Sequence, residues 1–129
     1  MYRQAEFKTA DHVQFGFEDN RVTVDGWSRF SESSTVVPRH VFHLAMLTAS
    51  TKAPEMRLPR FLVLDGLEDG GIELPRAHKL QEIIAAECAT YKVGFQRIMA
   101  TSQIAPSLNS DDYVVGRQHT EEERNLARL

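Results

Sequence analysis

Residues 61–69, Phe-Leu-Val-Leu-Asp-Gly-Leu-Glu-Asp, contain the pattern that most restricts the fold of this chain. An apolar run of four residues lies between Pro59 and Gly66 and ends in Asp65. Such a run is typical of a short strand that is buried on both faces, as in a parallel sheet. Because open α/β sheets bind ligands at the carboxyl ends of their strands, Asp65 is the first candidate for a functional residue.

Composition limits the classes of protein to which the chain can belong. Its 129 residues are 42% hydrophobic and 26% charged, which suits a single domain over residues 1–129 with a substantial core. The formal net charge of −3 gives no electrostatic support for direct binding to nucleic acid. One cysteine, Cys88, excludes an intrachain disulfide. No apolar run approaches the roughly 18 residues of a membrane span, so we expect a cytoplasmic protein with no membrane partner.

The first half of the chain predicts a β-hairpin followed by a helix. Apolar residues alternate over 13–17 and over 21–24, and the residues between them have turn composition. Helical spacing then predicts a helix over 35–49, with Pro38 in its first turn, where a missing N–H costs little.

The second half predicts a parallel strand–helix–strand unit. The strand at 61–65 is followed by a helix that begins at Pro75 and ends near Gly94, and then by a strand over 95–100. A right-handed crossover is expected for such a unit. Weaker patterns predict a short strand over 112–117 and a last helix from Thr120. The predicted fold class is therefore α/β.

A run of serines precedes the first predicted helix, in Phe30-Ser31-Glu32-Ser33-Ser34. Backbone N–H groups at a helix N-terminus, together with serine hydroxyls, form a natural site for phosphate or another anion. Serines are also favoured there simply because they cap the helix. Both interpretations remain open.

Taken in order, these segments resemble the carboxyl-terminal lobe of bacterial SMC-like and ABC-type ATPases, in particular a DNA-repair-like group with a Phe-Ser-Glu-Ser-Ser signature. The resemblance covers most of residues 20–125. The matching segments are 25–26, 28–35, 42–45, 59–69, 73, 75–76, 101–102 and 104–106.

The resemblance implies a shared nucleotide site. Ser31 matches the signature serine that meets the γ-phosphate of ATP held by another subunit, and Glu32, Ser33 and Ser34 complete the signature loop. Asp65 matches the Walker B aspartate, which holds Mg²⁺ directly or through water. ATP and Mg²⁺ are therefore the implied cofactors, bound only together with a partner lobe.

Two positions depart from the family pattern. The residue after the Walker B aspartate is usually a catalytic glutamate, but here it is Gly66, so Glu68 and Asp69 become the candidate catalytic carboxylates. The usual switch histidine is replaced by Thr101, expected to bind phosphate, and by Ser102, the third candidate catalytic residue. A serine hydroxyl can bind a γ-phosphate but cannot accept a proton near neutral pH. Both departures imply slow hydrolysis.

The sequence contains no Gly-x-x-x-x-Gly-Lys-Ser/Thr phosphate loop. In the family, a long coiled coil separates the lobe with that loop from the carboxyl-terminal lobe. The resemblance therefore implies a detached lobe that is part of an ATPase but is inactive as an isolated chain. Its expected partner is the amino-terminal phosphate-loop lobe, with DNA bound only through the full assembly. Self-association to a homo-oligomer is also expected if the face for the missing lobe is exposed.

Two other interpretations of the sequence remain. In the first, the chain is a small α/β protein-interaction module without nucleotide chemistry, and Asp65 and the serines are structural. In the second, the chain is an independent Mg²⁺-dependent phosphohydrolase that uses Asp65, Glu68 and Asp69.

Overall fold

The structure, a computed structural model, describes residues 9–19, 21–27, 30–53 and 55–116, without the side chains of Glu32 and Ser33. It is a small α/β fold with a β-hairpin, two helices and a two-stranded parallel sheet. The elements are β1 (Val13–Gly16), β2 (Arg21–Val24), α1 (Glu32–Lys52), β3 (Phe61–Asp65), α2 (Leu74–Cys88) and β4 (Gln96–Ala100), with short 3₁₀ turns at Asp69–Gly71 and Pro106–Leu108.

The predicted hairpin is confirmed. β1 and β2 pair antiparallel, with Val13 opposite Val24. At the open end of the hairpin, the carboxylate of Asp25 accepts a hydrogen bond of 2.8 Å from the backbone N–H of His12. The ring of Phe15 stacks on that of Phe42 in α1, with centroids 4.1 Å apart. The aromatic pair therefore joins the hairpin to the long helix.

Helix α1 begins earlier than its apolar spacing predicts. Ser31 is the N-cap, and its hydroxyl accepts a hydrogen bond of 3.3 Å from the backbone N–H of Ser34. This cap starts the helix at Glu32, three residues before the predicted start at Thr35. Pro38 consequently lies in the second turn rather than in the first, and it has no N–H to donate to the carbonyl of Ser34. The predicted position of Pro38 was wrong.

The strand–helix–strand unit is confirmed. β3 and β4 pair in parallel, with Phe61 opposite Gln96 and Asp65 opposite Ala100. Pro75 lies in the first turn of α2, as expected. The helix ends at Cys88, however, rather than near Gly94, because the chain turns there and leads into β4 through an irregular segment.

The core lies between α1, α2 and the adjacent face of the parallel sheet. Its buried members come from all three elements and from the turn after β3: Leu44, Leu47, Leu64, Leu67, Leu80, Ile84 and Cys88. The partly buried side chains of Leu62, Tyr91 and Met99 pack against it. Cys88 therefore serves as a small core residue.

The opposite face of the sheet is uncovered in the described part of the chain. Leu64 is only 2% exposed, whereas Phe61, Val63 and Ile98 are 48%, 51% and 45% exposed. The prediction that the strand at 61–65 is buried on both faces was therefore wrong for the described residues. Successive side chains of a strand alternate between faces, and the helices cover one face here. Asp65 belongs to the uncovered set and is exposed.

The predicted strand over 112–117 is not formed in its described part. Residues 111–113 form a turn, in which the backbone N–H groups of Tyr113 and Val114 donate to the carbonyl of Ser110. Residue 117 and the helix predicted from Thr120 lie outside the described residues.

Candidate functional site

The carboxyl ends of β3 and β4 lie side by side, because the parallel register pairs Asp65 with Ala100. This arrangement brings the turn at 66–69 beside Thr101 and Ser102. The structure thus brings four of the predicted site residues together at one edge of the sheet, where α/β proteins place their ligand sites. These residues are Asp65, Glu68, Thr101 and Ser102.

Glu68 links the two strand ends directly. Its carboxylate accepts a hydrogen bond of 3.0 Å from the Thr101 hydroxyl, and another from the backbone N–H of Ser102. Partial burial acts to raise the pKa of Glu68, but the hydrogen bonds from Ser102 and Thr101 outweigh it and lower that pKa below its ordinary value. An ionised carboxylate that already accepts these bonds is a weak general base.

Gln81 of α2 fixes the loop that follows β4. Its side chain is fully buried, and its amide nitrogen donates to the carbonyl of Gln103 at 3.0 Å and to the Thr101 hydroxyl at 3.3 Å. Its amide oxygen accepts from the backbone N–H of Ala105 at 2.8 Å. Sequence reasoning missed this residue. The available signal was an amide within the apolar stripe of α2, beside Leu80 and Ile84.

Gly66 is required by the turn that carries the site. Its φ is +70°, a left-handed conformation that favours glycine. A Cβ at this position would lie 2.0 Å from the Oδ2 atom of Asp69. A larger side chain such as glutamate therefore does not fit here while Asp69 keeps its place.

The carboxylates of Asp65 and Asp69 are not gathered around a common point. Asp69 lies 3.8 Å from the guanidinium of Arg39, and Asp65 is exposed at the end of the uncovered sheet face. Among the described residues, no group of three or more His, Cys, Asp or Glu side chains is placed to hold a metal ion. This arrangement gives no support to an independent phosphohydrolase in which Asp65, Glu68 and Asp69 share Mg²⁺.

His40 connects α1 to the same turn, a link that sequence reasoning missed. Its side chain is 3% exposed, and Nε2 lies 3.4 Å from the carbonyl oxygen of Gly66. Burial lowers the pKa of His40, an effect that the Gly66 carbonyl opposes and the nearby Arg39 strengthens. Because the Gly66 carbonyl can only accept, this contact is a hydrogen bond in the tautomer that carries its proton on Nε2, and Nδ1 has no hydrogen-bond partner among the described residues.

The serine segment forms the beginning of α1. Ser34 is buried, and its hydroxyl lies 2.7 Å from that of Ser31. Glu32 and Ser33 occupy the first helical turn, with side chains outside the described part of the structure. The capping interpretation of Ser31 is thus confirmed. Helix α1 extends from this cap to Lys52 and carries His40, so it connects the serine segment with the turn after Asp65.

Comparison of the chain with protein-family models, with curated proteins and with solved structures finds no match. In the described part of the chain, no helix is both long enough and apolar enough to cross a bilayer.

Proposed function

We propose that the chain is the nucleotide-site-completing lobe of an SMC-like or ABC-type ATPase. The uncovered face of the parallel sheet is the observation that carries this proposal. Parallel sheets in proteins usually have both faces covered and contain more than two strands. Here Phe61, Val63 and Ile98 are about half exposed on one face, which ends in Asp65. A partner lobe on this face would bury apolar surface and bring its own groups beside that carboxylate.

The proposed role of each residue in nucleotide binding follows from its chemistry. Asp65 is an exposed carboxylate at the strand end with no hydrogen bond or ion pair to another described side chain, and it is suited to hold Mg²⁺ through water once phosphate oxygens complete the coordination. The N-terminus of α1, which Ser31 caps, provides backbone N–H donors for the γ-phosphate of a second nucleotide. ATP itself requires the phosphate loop of the partner lobe, because this sequence contains none.

The isolated chain is proposed to be inactive in hydrolysis. Gly66 cannot polarise water, and the Glu68 carboxylate is occupied by Thr101 and Ser102. Asp69 lies beside Arg39 and fills the space next to Gly66. The partner lobe therefore supplies both the nucleotide and part of the catalytic machinery, and turnover in the assembled site is slow.

Reconstitution tests the proposal. The chain is mixed with the product of any neighbouring reading frame that contains a phosphate loop, and ATP hydrolysis is measured with Mg²⁺ present. We expect activity in the mixture alone, and loss of that activity with Asp65→Ala and with Ser31→Arg. The exposed turn residue Asp111 provides a control, since Asp111→Ala removes a carboxylate away from the sheet edge. Activity that both site variants leave unchanged would contradict the proposal.

A second candidate function is a protein-interaction module without nucleotide chemistry. The observation that favours it is an apolar cavity of about 420 Å³ between the hairpin and α1. Its lining includes Val13, Phe15, Val37 and Phe42, and none of its lining residues has a polar side chain. In this case a partner protein binds without ATP. Asp65→Ala leaves that binding unchanged, whereas Phe42→Ala weakens it.

A further inference from the structure

The apolar cavity of about 420 Å³ between the hairpin and α1 has two distinct walls. The hairpin wall contains two pairs of facing residues, Val13 with Val24 and Phe15 with Val22, which share one face of the sheet. The other wall consists of five residues of α1 within 37–45, at the spacing of one face of a helix over about two turns. We call this cavity the hairpin groove.

The lining of the hairpin groove favours a helix over an extended peptide as its occupant. None of its lining residues has a polar side chain that could bond to a peptide backbone. A backbone N–H or C=O group that enters an apolar groove without a hydrogen-bond partner is costly. In an α-helix these groups are bonded within the element, so the helix inserts only apolar side chains.

The hairpin that forms one wall is acidic. Residues 9–27 contain four acids, Asp11, Glu18, Asp19 and Asp25, and one arginine, Arg21, so their formal charge is −3. The two aspartates at 11 and 25 meet at the open end of the hairpin, where the Asp25 carboxylate accepts a hydrogen bond of 3.3 Å from the Asp11 N–H. The other two acids lie in the turn at the opposite end, where Arg21 is 3.5 Å from Asp19. Negative charge therefore borders the hairpin groove at both ends of this wall.

The α1 wall does not balance this charge with its arginine. The guanidinium of Arg39 lies 3.8 Å from the carboxylate of Asp69, in the turn after β3, and Arg39 is not one of the residues that line the groove. An occupant with positive charge is thus the electrostatic complement of the groove.

We propose that the hairpin groove is the docking site for an amphipathic α-helix of a partner protein, and that the polar face of this helix is basic. The inference rests on the second candidate function, the protein-interaction module, and gives that module a class of partner. The apolar residues of the helix, spaced at i, i+3 or i+4 and i+7, enter the groove. Its Lys and Arg side chains lie over the acids at the two ends of the hairpin.

The test uses a fluorescein-labelled synthetic peptide of about 18 residues, made of Leu and Lys with all Leu on one helical face. Its binding to the full chain is measured by fluorescence anisotropy. One control peptide has Glu in place of every Lys, and a second has the same Leu and Lys content in an order without an apolar face. We expect the first peptide to bind and both controls to bind more weakly by on the order of tenfold.

A pair of lysine variants locates the binding surface. Val41 lines the groove and is 46% exposed, whereas Ile83 on α2 is 44% exposed and lies outside the lining. Val41→Lys is expected to raise the Kd of the peptide by on the order of tenfold, because it places a positive charge against a basic helix. Ile83→Lys adds the same charge elsewhere and should change the Kd by less than about twofold. If Val41→Lys does not fold, Val13→Lys, at a groove position that is 64% exposed, decides.

A second pair of variants tests the acidic rim. Asp11→Asn combined with Glu18→Gln is expected to raise the Kd by about threefold at low salt, since each exposed charge contributes little. Asp111→Asn combined with Asp112→Asn removes the same charge from an exposed turn outside the hairpin and should leave the Kd nearly unchanged. Equal effects of the two double variants would overturn the proposed basic face.

Other occupants of the hairpin groove give different results. Equal affinity for the peptide without an apolar face, or equal losses in Val41→Lys and Ile83→Lys, would overturn the proposal. So would binding of the uncharged probe 1-decanol, seen as shifts of the groove amides, together with no binding of the peptide. A lower average mass for Val41→Lys than for the wild type in sedimentation velocity, without peptide, would place a second copy of the chain in the groove instead.

Failure of this inference is distinguishable from failure of the interaction module. A partner protein whose binding Phe42→Ala weakens, together with no binding of the basic peptide, would retain the module and exclude a basic helix as its partner. The reconstituted ATPase is tested separately, on Asp65 and Ser31, which do not line the groove.

Discussion

The carboxylate of Asp69 occupies the space that a side chain at Gly66 would need: its Oδ2 atom lies 2.0 Å from the position of a Cβ on Gly66. The same turn is closed by a hydrogen bond of 3.1 Å from the Asp69 N–H to the Gly66 carbonyl. The absence of a glutamate after Asp65 is therefore tied to the geometry of this turn. A simple exchange of Gly66 for glutamate therefore does not fit this turn as it stands.

This relationship predicts that Gly66→Ala destabilises the protein more than Gly71→Ala. Both glycines have φ near +70°, but a Cβ at Gly71 would meet nothing within 4 Å. Gly71→Ala is expected to cost about 1 kcal/mol from the left-handed backbone alone. Gly66→Ala also displaces the exposed Asp69 side chain from its position, which adds on the order of 0.5–1.5 kcal/mol. Urea unfolding measures both losses. Addition of Asp69→Ala to the Gly66 variant should recover the second part, and equal losses for the two glycine variants would contradict this displacement.

Stability should fall on mild acidification because of His40. Burial lowers the pKa of His40, so the unfolded chain binds more protons than the folded chain below about pH 6.5, the ordinary value for histidine. By linkage, the free energy of unfolding then decreases as the pH falls through that region. Urea unfolding at pH 7.5 and pH 5.5 should show this loss in the wild type and a smaller loss in His40→Gln. His43→Gln, at an exposed position on the same helix, should keep the wild-type dependence.

Gln81 should be costly to replace with an apolar residue of similar size. Gln81→Leu leaves the Ala105 N–H, the Gln103 carbonyl and the Thr101 hydroxyl without their buried partner. We expect a loss of about 2–3 kcal/mol in the free energy of unfolding, together with faster hydrogen exchange at Ala105. Gln103→Leu makes the same chemical change in an exposed side chain and should cost less than about 0.5 kcal/mol. Similar losses for both variants would show that the network does not anchor the loop.

Alternation was sufficient to predict the hairpin, because it has the two-residue period of a strand, and a short apolar run bounded by turn residues was sufficient to predict the strand at 61–65. The start of α1 was missed because it is set by the Ser31 cap, whereas the prediction followed apolar spacing from Val36. The uncovered face of β3 was also missed. A run such as Phe-Leu-Val-Leu indicates apolar side chains on both faces, but it does not indicate what packs on them.

The contacts of the site depend on tertiary register, which the sequence does not contain. Glu68 meets Ser102 across 34 residues, and His40 meets Gly66 across 26. Each contact requires that β3 and β4 pair in one register and that α1 pack beside the turn. Sequence reasoning could place acids and hydroxyls at two strand ends. It could not predict that the Glu68 carboxylate accepts hydrogen bonds from the Thr101 hydroxyl and the Ser102 N–H at the end of β4.

Ser31 can be tested for its two proposed roles separately. Ser31→Ala removes the side-chain acceptor at the N-cap and should cost about 1 kcal/mol of stability. Ser31→Asp keeps an acceptor there, so stability should be close to that of the wild type. The added negative charge would nevertheless repel a γ-phosphate, so Ser31→Asp should abolish ATP hydrolysis in the mixture with the partner lobe. Full activity of a stable Ser31→Asp variant would leave Ser31 with a capping role alone.

The uncovered sheet face should make the isolated chain self-associate. Three exposed apolar side chains form one patch across the paired strands, because Val63 lies opposite Ile98 in the register and Phe61 is on the same face of β3. Val63→Lys places a charge in this patch, at a position where its side chain remains in water, so the fold should tolerate it. Sedimentation velocity over a range of concentrations should show a rising average mass for the wild type and a constant monomer mass for Val63→Lys.

Val115 is 99% exposed and lies outside the sheet, so Val115→Lys makes the same exchange outside the patch and should behave as the wild type. If both lysine variants associate like the wild type, the uncovered face is not the contact surface, and the sheet-based argument for a covering lobe loses its support.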